Sequence, residues 1–216
     1  DQKKRFYAVL TALDDAIGRV LRAVDELGLA QRTFVLLISD NGAFMLPGRG
    51  LEVQSNAPLR SGGVTTYEGG IRVPAIFRWP GKLAPGECKE VLSSLDVTPT
   101  LIRAAGGSLP KDRVFDGADM LPTLEGKKAS PHTSLAWVWK QGRETWQAMR
   151  KNDWKIVRRS ESSPWELYNL ATDAAETANM ARSKKAILES MINEFSRWHR
   201  GVRNATHSDA ETRTTR

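Results

Sequence analysis

The feature that most constrains the fold is a short apolar run, Thr33-Phe34-Val35-Leu36-Leu37-Ile38, which stops abruptly at Ser39-Asp40-Asn41-Gly42. A run of this length, rich in branched and aromatic side chains and closed by turn formers, predicts a strand buried on both faces. In open α/β sheets, ligands gather just past the carboxyl ends of such strands. Here that place holds an acid, an amide and a glycine. Asp40 and Asn41 offer hard oxygen donors, which suit Ca²⁺ or Mg²⁺ better than a soft metal. The same residues are also common turn formers. From the residues alone, Asp40-Asn41-Gly42 is either a plain turn or a turn that holds a cation.

The flanking segments place this stretch in a larger pattern. Phe6, Val9, Leu10, Leu13, Ile17, Val20, Leu21 and Val24 recur every three or four positions, the stripe of an amphipathic helix, and Gly28 supplies its stop. A helix leading straight into a buried strand is half of an α/β repeat and predicts a parallel sheet. Residues Ala43 to Ser61 have neither helical nor strand period. Irregular loops longer than about 12–15 residues are uncommon unless functional or disordered, and the position of this one favours function. In the Leu59–Pro74 segment, two Gly-Gly pairs permit sharp turns or close approach of the backbone to a ligand. Arg60 and Arg72 could bind an oxyanion through forked donors, or an arginine could pair with Glu68 to brace the loop. Ala75 to Trp79 reads as a second buried strand, stopped by Pro80-Gly81. Asp96 is placed to cap a short helix reaching Ala105 and ended by Gly106-Gly107. The turn-rich stretch from Gly107 to Ser130 leads to a boundary, so residues 1–130 form a first part.

Residues 131–200 read differently. Ser134–Trp139, Glu144–Met149 and Trp154–Val157 are short aromatic segments separated by Gln141-Gly142 and Lys151-Asn152-Asp153, the pattern of antiparallel strands joined by tight turns. Six of the seven tryptophans lie from Trp137 onward. Such a cluster can bind sugars or bases, but large aromatics more often form the core of a small sheet. Ile187, Leu188, Met191, Ile192, Phe195 and Trp198 form a helix stripe able to cover one face. Residues 201–216 are polar and without period, as in a disordered tail. They include Asn204-Ala205-Thr206, a weak match to a glycosylation acceptor.

Composition narrows the class. At 40% hydrophobic and 26% charged over 216 residues, the chain belongs with ordinary globular proteins. It contains no apolar run of the roughly 20 residues needed to span a bilayer. It opens on Asp1 rather than Met and reads as a processed or truncated piece. The net charge of +7 comes from scattered Lys and Arg with acids among them. No nucleic-acid-binding motif accompanies it, so a solvated surface is the reading and nucleic acid is not an expected partner. The single Cys88 excludes an internal disulfide and a cysteine-built zinc site.

The ordered series Ala12-Leu13-Asp14-Asp15, Ser39-Asp40-Asn41-Gly42, Ser55-Asn56-Ala57-Pro58-Leu59-Arg60, Thr65–Pro74, Trp79-Pro80-Gly81 and Asp96–Leu101 resembles the C-terminal portion of the sulfatase family, within the alkaline-phosphatase-like superfamily. Asp116-Gly117, Leu121-Pro122, Leu124-Glu125-Gly126, Ala148–Lys155 and Glu166–Leu170 continue it to about Arg200. The resemblance implies an α/β fold: the C-terminal part of an alkaline-phosphatase-like sandwich with a mostly parallel sheet, plus a small antiparallel sheet and helix subdomain. It implies hydrolysis of sulfate esters by a formylglycine made from Cys or Ser in Cys/Ser-x-Pro-x-Arg, with Ca²⁺ expected ahead of Mg²⁺. Asp40 would supply a carboxylate oxygen and Asn41 an amide oxygen to the metal. The family's remaining metal ligands, its nucleophile and an intervening histidine lie outside this chain. The resemblance also implies a periplasmic, secreted or lysosomal setting.

Cys88 is followed by Lys89-Glu90-Val91, and Ser162-Ser163-Pro164 by Trp165-Glu166, so neither meets the nucleophile motif. His132, His199 and His207 match no part of the family pattern and are expected at the surface. Where the family often reads Leu-Arg-x-Gly-Lys-Gly-Thr-Thr, this chain has Gly63 and Val64, and Gly63 cannot give the charge-assisted hydrogen bond of the usual lysine. Arg60 is the candidate substitute for contact with the substrate, and a lysine restored at Gly63 is expected to raise turnover. Two alternatives stand beside the sulfatase reading: a metal-dependent phosphatase or phosphodiesterase of the same superfamily, and a degenerate, non-catalytic member.

Overall fold

The computed structural model describes residues 2–45, 53–142 and 144–213. The middle of the Ala43–Ser61 loop lies outside the described residues. The chain forms two units: Asp1–Ser39 with Pro74–Thr133, and Asp40–Val73 with Ser134–Arg216. Where a single boundary near residue 130 was expected, the stretch carrying Asp40, Asn41 and Arg60 thus belongs with the C-terminal sheet.

In the first unit, α1 (Gln2–Glu26) ends as its sequence predicts. Gly28 takes φ +66°. Its N–H reaches the Asp25 carbonyl at 3.0 Å and the Leu29 N–H reaches Val24 at 2.9 Å, the paired bonds of a Schellman stop. The apolar stripe of α1 is only partly covered: none of its described residues is buried, and Val9 is 66% exposed. A 3₁₀ turn (Ala30–Arg32) leads to β1 (Val35–Ile38), which pairs with β2 (Ala75–Arg78).

Two expectations fail at this ribbon. The pairing is antiparallel, Val35 opposite Arg78 and Ile38 opposite Ala75, so the described strands of this unit form no parallel sheet. Nor is either strand buried on both faces, since Leu37, Ile38 and Ile76 are exposed. A two-stranded ribbon has no layer of its own to cover both faces. What it half-buries is Phe34, stacked on Phe77 at 6.2 Å and tilted against Trp79 at 5.4 Å. The Trp79 indole N–H donates to the Gln31 carbonyl at 2.9 Å. The short α2 (Glu68–Ile71) belongs to the second unit; farther on in the first, α3 (Val97–Ala104) is closed by Gly106, with φ +79°, and Gly107. The short α4 (Leu121–Leu124) follows.

The second unit is built on four antiparallel strands in the order β3 (Ser134–Gln141), β4 (Glu144–Lys151), β5 (Trp154–Arg158) and β6 (Glu166–Asn169). The first three are legible in the sequence as antiparallel strands, whereas β6 shows there only as the Glu166–Leu170 family motif. Side chains alternate between faces with period two. Met149, Ile156 and Leu167 therefore share one face, where Met191 and Phe195 of α5 (Lys185–Arg213) cover them. Trp146, Ala148, Val157 and Tyr168 share the other, where Tyr67 closes the cluster. The tryptophans flank these two cores, Trp137 and Trp139 on the Tyr67 side and Trp154 and Trp165 on the α5 side. This is the core role favoured by their number and spacing. Backbone helicity continues past Gly201 to Arg213, through most of the stretch expected to be an aperiodic tail. Residues 214–216 lie outside the described part. Among the described residues no helix is long and apolar enough to cross a membrane.

Candidate functional site

Asp40 and Asn41 follow β1 directly. Asp40 is exposed, and its Oδ1 accepts the Asn41 N–H at 2.9 Å. The Asn41 side-chain Nδ2 donates to the Gly42 carbonyl at 2.7 Å, which fixes the end of the amide that faces the backbone. The turn is held from behind by main chain. Gly42 N–H donates to the Gly70 carbonyl and Gly63 N–H to the Ala43 carbonyl, each at 3.0 Å. Asn56 clips the same strip, its Oδ1 accepting Ala43 N–H and its Nδ2 donating to the carbonyls of Ala43 and Ser61, all at 2.9 Å. Contact is so close that a Cβ at Gly42 would stand 1.7 Å from the Gly69 carbonyl oxygen. Only glycine lets the two backbones meet this way.

The same crowding bears on Gly63. A Cβ there would lie 2.6 Å from the Gly42 carbonyl oxygen and 3.0 Å from Asn41 Nδ2, so lysine at this position alone pushes on the candidate ligand turn. The next residue carries the strain: Val64 adopts φ +75°, a left-handed conformation unfavourable for a β-branched side chain. Such a residue costs about 1–3 kcal/mol, partly offset in a glycine variant by the greater freedom of the unfolded chain. Val64→Gly is therefore expected to stabilise the protein by about 1 kcal/mol, read as a rise in thermal midpoint; an unchanged or lower midpoint would count against strain at Val64.

Arg60 is engaged on the sheet. Its guanidinium lies 3.9 Å from the Tyr67 ring centroid. Its Nη1 donates to the Tyr168 hydroxyl at 2.8 Å, the Glu176 carbonyl at 3.1 Å and Glu166 Oε2 at 3.3 Å. The brace anticipated as one alternative is thus present, but its acid is Glu166 and not Glu68. Tyr67 and Tyr168 both donate to Glu166, at 2.8 and 2.6 Å to Oε2. Burial, followed by these bonds, pushes both phenols above their ordinary range, which keeps them as donors.

Glu68 is occupied by a buried trio that sequence reasoning missed. Lys155, fully buried, donates from Nζ to Glu68 Oε1 at 2.8 Å and stands 2.9 Å from Glu176 Oε1. Glu176 Oε2 accepts the Glu68 N–H at 2.6 Å. Burial pushes the Glu176 carboxyl up, against the opposing pull of Lys155. Strand alternation offered the available clue: Lys155 and Val157 share a face, and that face is covered.

His132 also departs from expectation. It is not a surface residue: its side chain is 9% exposed, and Nε2 lies 2.8 Å from both carboxylate oxygens of the fully buried Asp96. Asp96 makes no side-chain cap to α3. Its carboxylate accepts the N–H groups of Ser93 and Ala118 at 2.8 Å each. Cys88 is exposed and free.

Asp40 and Asn41 suit a hard cation, since a carboxylate and an amide oxygen are its preferred donors. Two donors fall short of the roughly six to eight oxygens Ca²⁺ takes. Among the described residues no group of three or more His, Cys, Asp or Glu completes a metal site.

The family profile described as Sulfatase matches residues 2–108, and that described as N-sulphoglucosamine sulphohydrolase, C-terminal, matches residues 64–200. The chain is 48% identical over 118 residues to steryl-sulfatase of Rattus norvegicus, covering 53% of this chain and 20% of that protein. It is 34% identical over 198 residues to a sulfatase of Formosa agariphila, covering 81% of this chain and 35% of the other. Among solved structures it is similar to Ps i-CgsB in complex with k-i-k-neocarrahexaose, with a TM-score of 0.83 and 28% identity over 92% of this chain and 43% of that one. The chain thus spans about a fifth to a third of the length of these two curated relatives.

Proposed function

Because the chain belongs to the sulfatase family, we propose that it forms the C-terminal part of a sulfuric-ester hydrolase in which Asp40 and Asn41 are two ligands of a Ca²⁺ ion. The observation that carries the reading is the pair of oxygen donors presented just past β1 on a turn held by backbone contacts, inside the segment matched by the family. The ion, when bound, would offset negative charge on the sulfuryl oxygens.

The part played by this chain is positional. Gly42 and Ala43 are bonded to Gly70 and Gly63, and the Asn41 amide is oriented by the Gly42 carbonyl. The donors therefore need little reorganisation when charge develops at the reacting group. Gly63 contributes no side-chain donor. Arg60 braces the segment that underlies the turn.

The nucleophile, a formylglycine in this reading, lies outside these 216 residues, which contain no Cys/Ser-x-Pro-x-Arg. The exposure of Val9, Leu10, Leu13 and Val20 on the α1 stripe supports the view that further polypeptide completes the domain. The larger sheet of that domain would be the mostly parallel one. Relatives act on substrates as different as their names, steryl-sulfatase and N-acetylgalactosamine-6-sulfatase, so the substrate class is set here as sulfate esters.

The test is an assay of the complete protein on matched aryl sulfate and aryl phosphate esters. Sulfate hydrolysis is expected to exceed phosphate hydrolysis at least tenfold, to disappear with chelator and to return with Ca²⁺. A preference for phosphate would favour the phosphatase alternative, and inactivity on every ester the non-catalytic one.

A further inference from the structure

We infer that Glu176, with Lys155, is a positioning residue for the metal-binding turn, transmitting the rigidity of the C-terminal sheet to Asp40 and Asn41. The inference rests on the reading of those two residues as metal ligands.

Asp40 is exposed and bonded to its own neighbour. What locates the turn is the strip beneath it, residues 60–70, which receives Gly42 N–H at the Gly70 carbonyl and lies against Gly42 at the Gly69 carbonyl. Among the bonds that hold that strip, Glu176 makes two. Its backbone carbonyl accepts Arg60 Nη1 at 3.1 Å, and its carboxylate accepts the Glu68 N–H at 2.6 Å. Between these anchors the strip closes on itself through Gly69 N–H and the Arg60 carbonyl at 2.9 Å. Lys155 then fixes the Glu68 side chain from β5, whose neighbours β4 and β6 hold it on both sides. The path from sheet to ligand turn is short: β5, Glu68, one residue of backbone (Gly69), Gly70, Gly42.

The chemistry of the trio argues for placement over stability. Two carboxylates and one ammonium in a fully buried position must all be desolvated, and an apolar trio of similar volume stabilises as well or better. What such a cluster supplies is direction, because each charge accepts only particular partners at particular angles. Glu176 also adopts φ +53°, a conformation an ordinary side chain takes only when its surroundings require it. Groups that orient metal ligands without touching the metal typically alter metal affinity 10- to 100-fold when removed.

The experiment measures Ca²⁺ affinity calorimetrically on the complete, metal-stripped protein, well below its melting temperature. Glu176→Ala is expected to weaken Ca²⁺ binding at least tenfold; should it not fold, Glu176→Asp, one methylene too short to keep its bond to Glu68, decides. Phe195→Ala, in the core on the opposite face of the sheet, is the control: it should lower the melting temperature as much or more and leave Ca²⁺ affinity within threefold. Wild-type affinity in a folded Glu176 variant overturns the inference, as does equal weakening by Phe195→Ala. Asp40→Ala separates this from the underlying reading. If it binds Ca²⁺ normally, the metal assignment fails; if it does not while the Glu176 variant does, only the positioning role fails.

Discussion

Lys155→Met is expected to lower the free energy of unfolding by about 3–5 kcal/mol, the usual consequence of removing one partner from a buried ion group. The lysine has no exposed surface and its ammonium faces Glu68 and Glu176 at 2.8 and 2.9 Å. Methionine fills similar volume, so lost packing contributes little. What remains is two carboxylates facing each other without a cation, of which at least one must take up a proton. Urea denaturation should show a lower midpoint with the slope unchanged. The triple variant with Glu68→Gln and Glu176→Gln should recover part of the loss, since the uncompensated charge is then gone. A loss below about 1 kcal/mol for Lys155→Met alone would mean the charges are not closed off from water as the geometry indicates.

Asp40→Ala is expected to act in the opposite way, on chemistry and not on stability. Asp40 is exposed, and the bond its side chain makes is to the N–H of the next residue, so the melting temperature of the metal-free protein should stay within the roughly ±0.5 kcal/mol range of surface substitutions. Turnover of a sulfate ester by the complete protein should fall about 10²–10³-fold, the scale of losing one preorganised electrostatic contact to the transition state. Asp40→Asn keeps an oxygen donor but no charge and should fall between. Full activity in Asp40→Ala would remove the turn from the mechanism and leave it a plain reverse turn, the alternative its composition allows.

These two residues show what could be read in advance. Asp40 was visible because its meaning is local: an apolar run ends, a hard donor pair follows, and neighbouring motifs place both in a known family. Lys155 stood within a recognised motif, Asn-Asp-Trp-Lys, yet nothing in that motif says the ammonium is buried. Its partner Glu68 is 87 residues away in sequence. Glu176 had no signal at all, because an isolated glutamate in a turn looks the same whether it faces water or a lysine. The error over Arg60 and Glu68 has the same origin. Proximity in sequence suggested a pair, whereas the sheet brings Glu166 to the arginine and Lys155 to the glutamate.

The sequence by itself determined the features that depend on neighbouring residues: the α1 stripe and its glycine stop, the aromatic strands β3 to β5, the covering stripe of α5 and the placing of Asp40-Asn41-Gly42 after β1. Such features follow from backbone period and turn chemistry, which act over a few residues. The tertiary structure alone decided the antiparallel pairing of β1 with β2, the grouping of Asp40–Val73 with the C-terminal sheet and the burial of Lys155, Glu176 and Asp96. Each of these rests on contacts between segments far apart in the chain, where a charge is stable only if a specific distant partner meets it. The turn proposed to bind metal joins both kinds: its oxygen groups are written locally, and its position is set by a backbone contact so close that only glycine at 42 permits it.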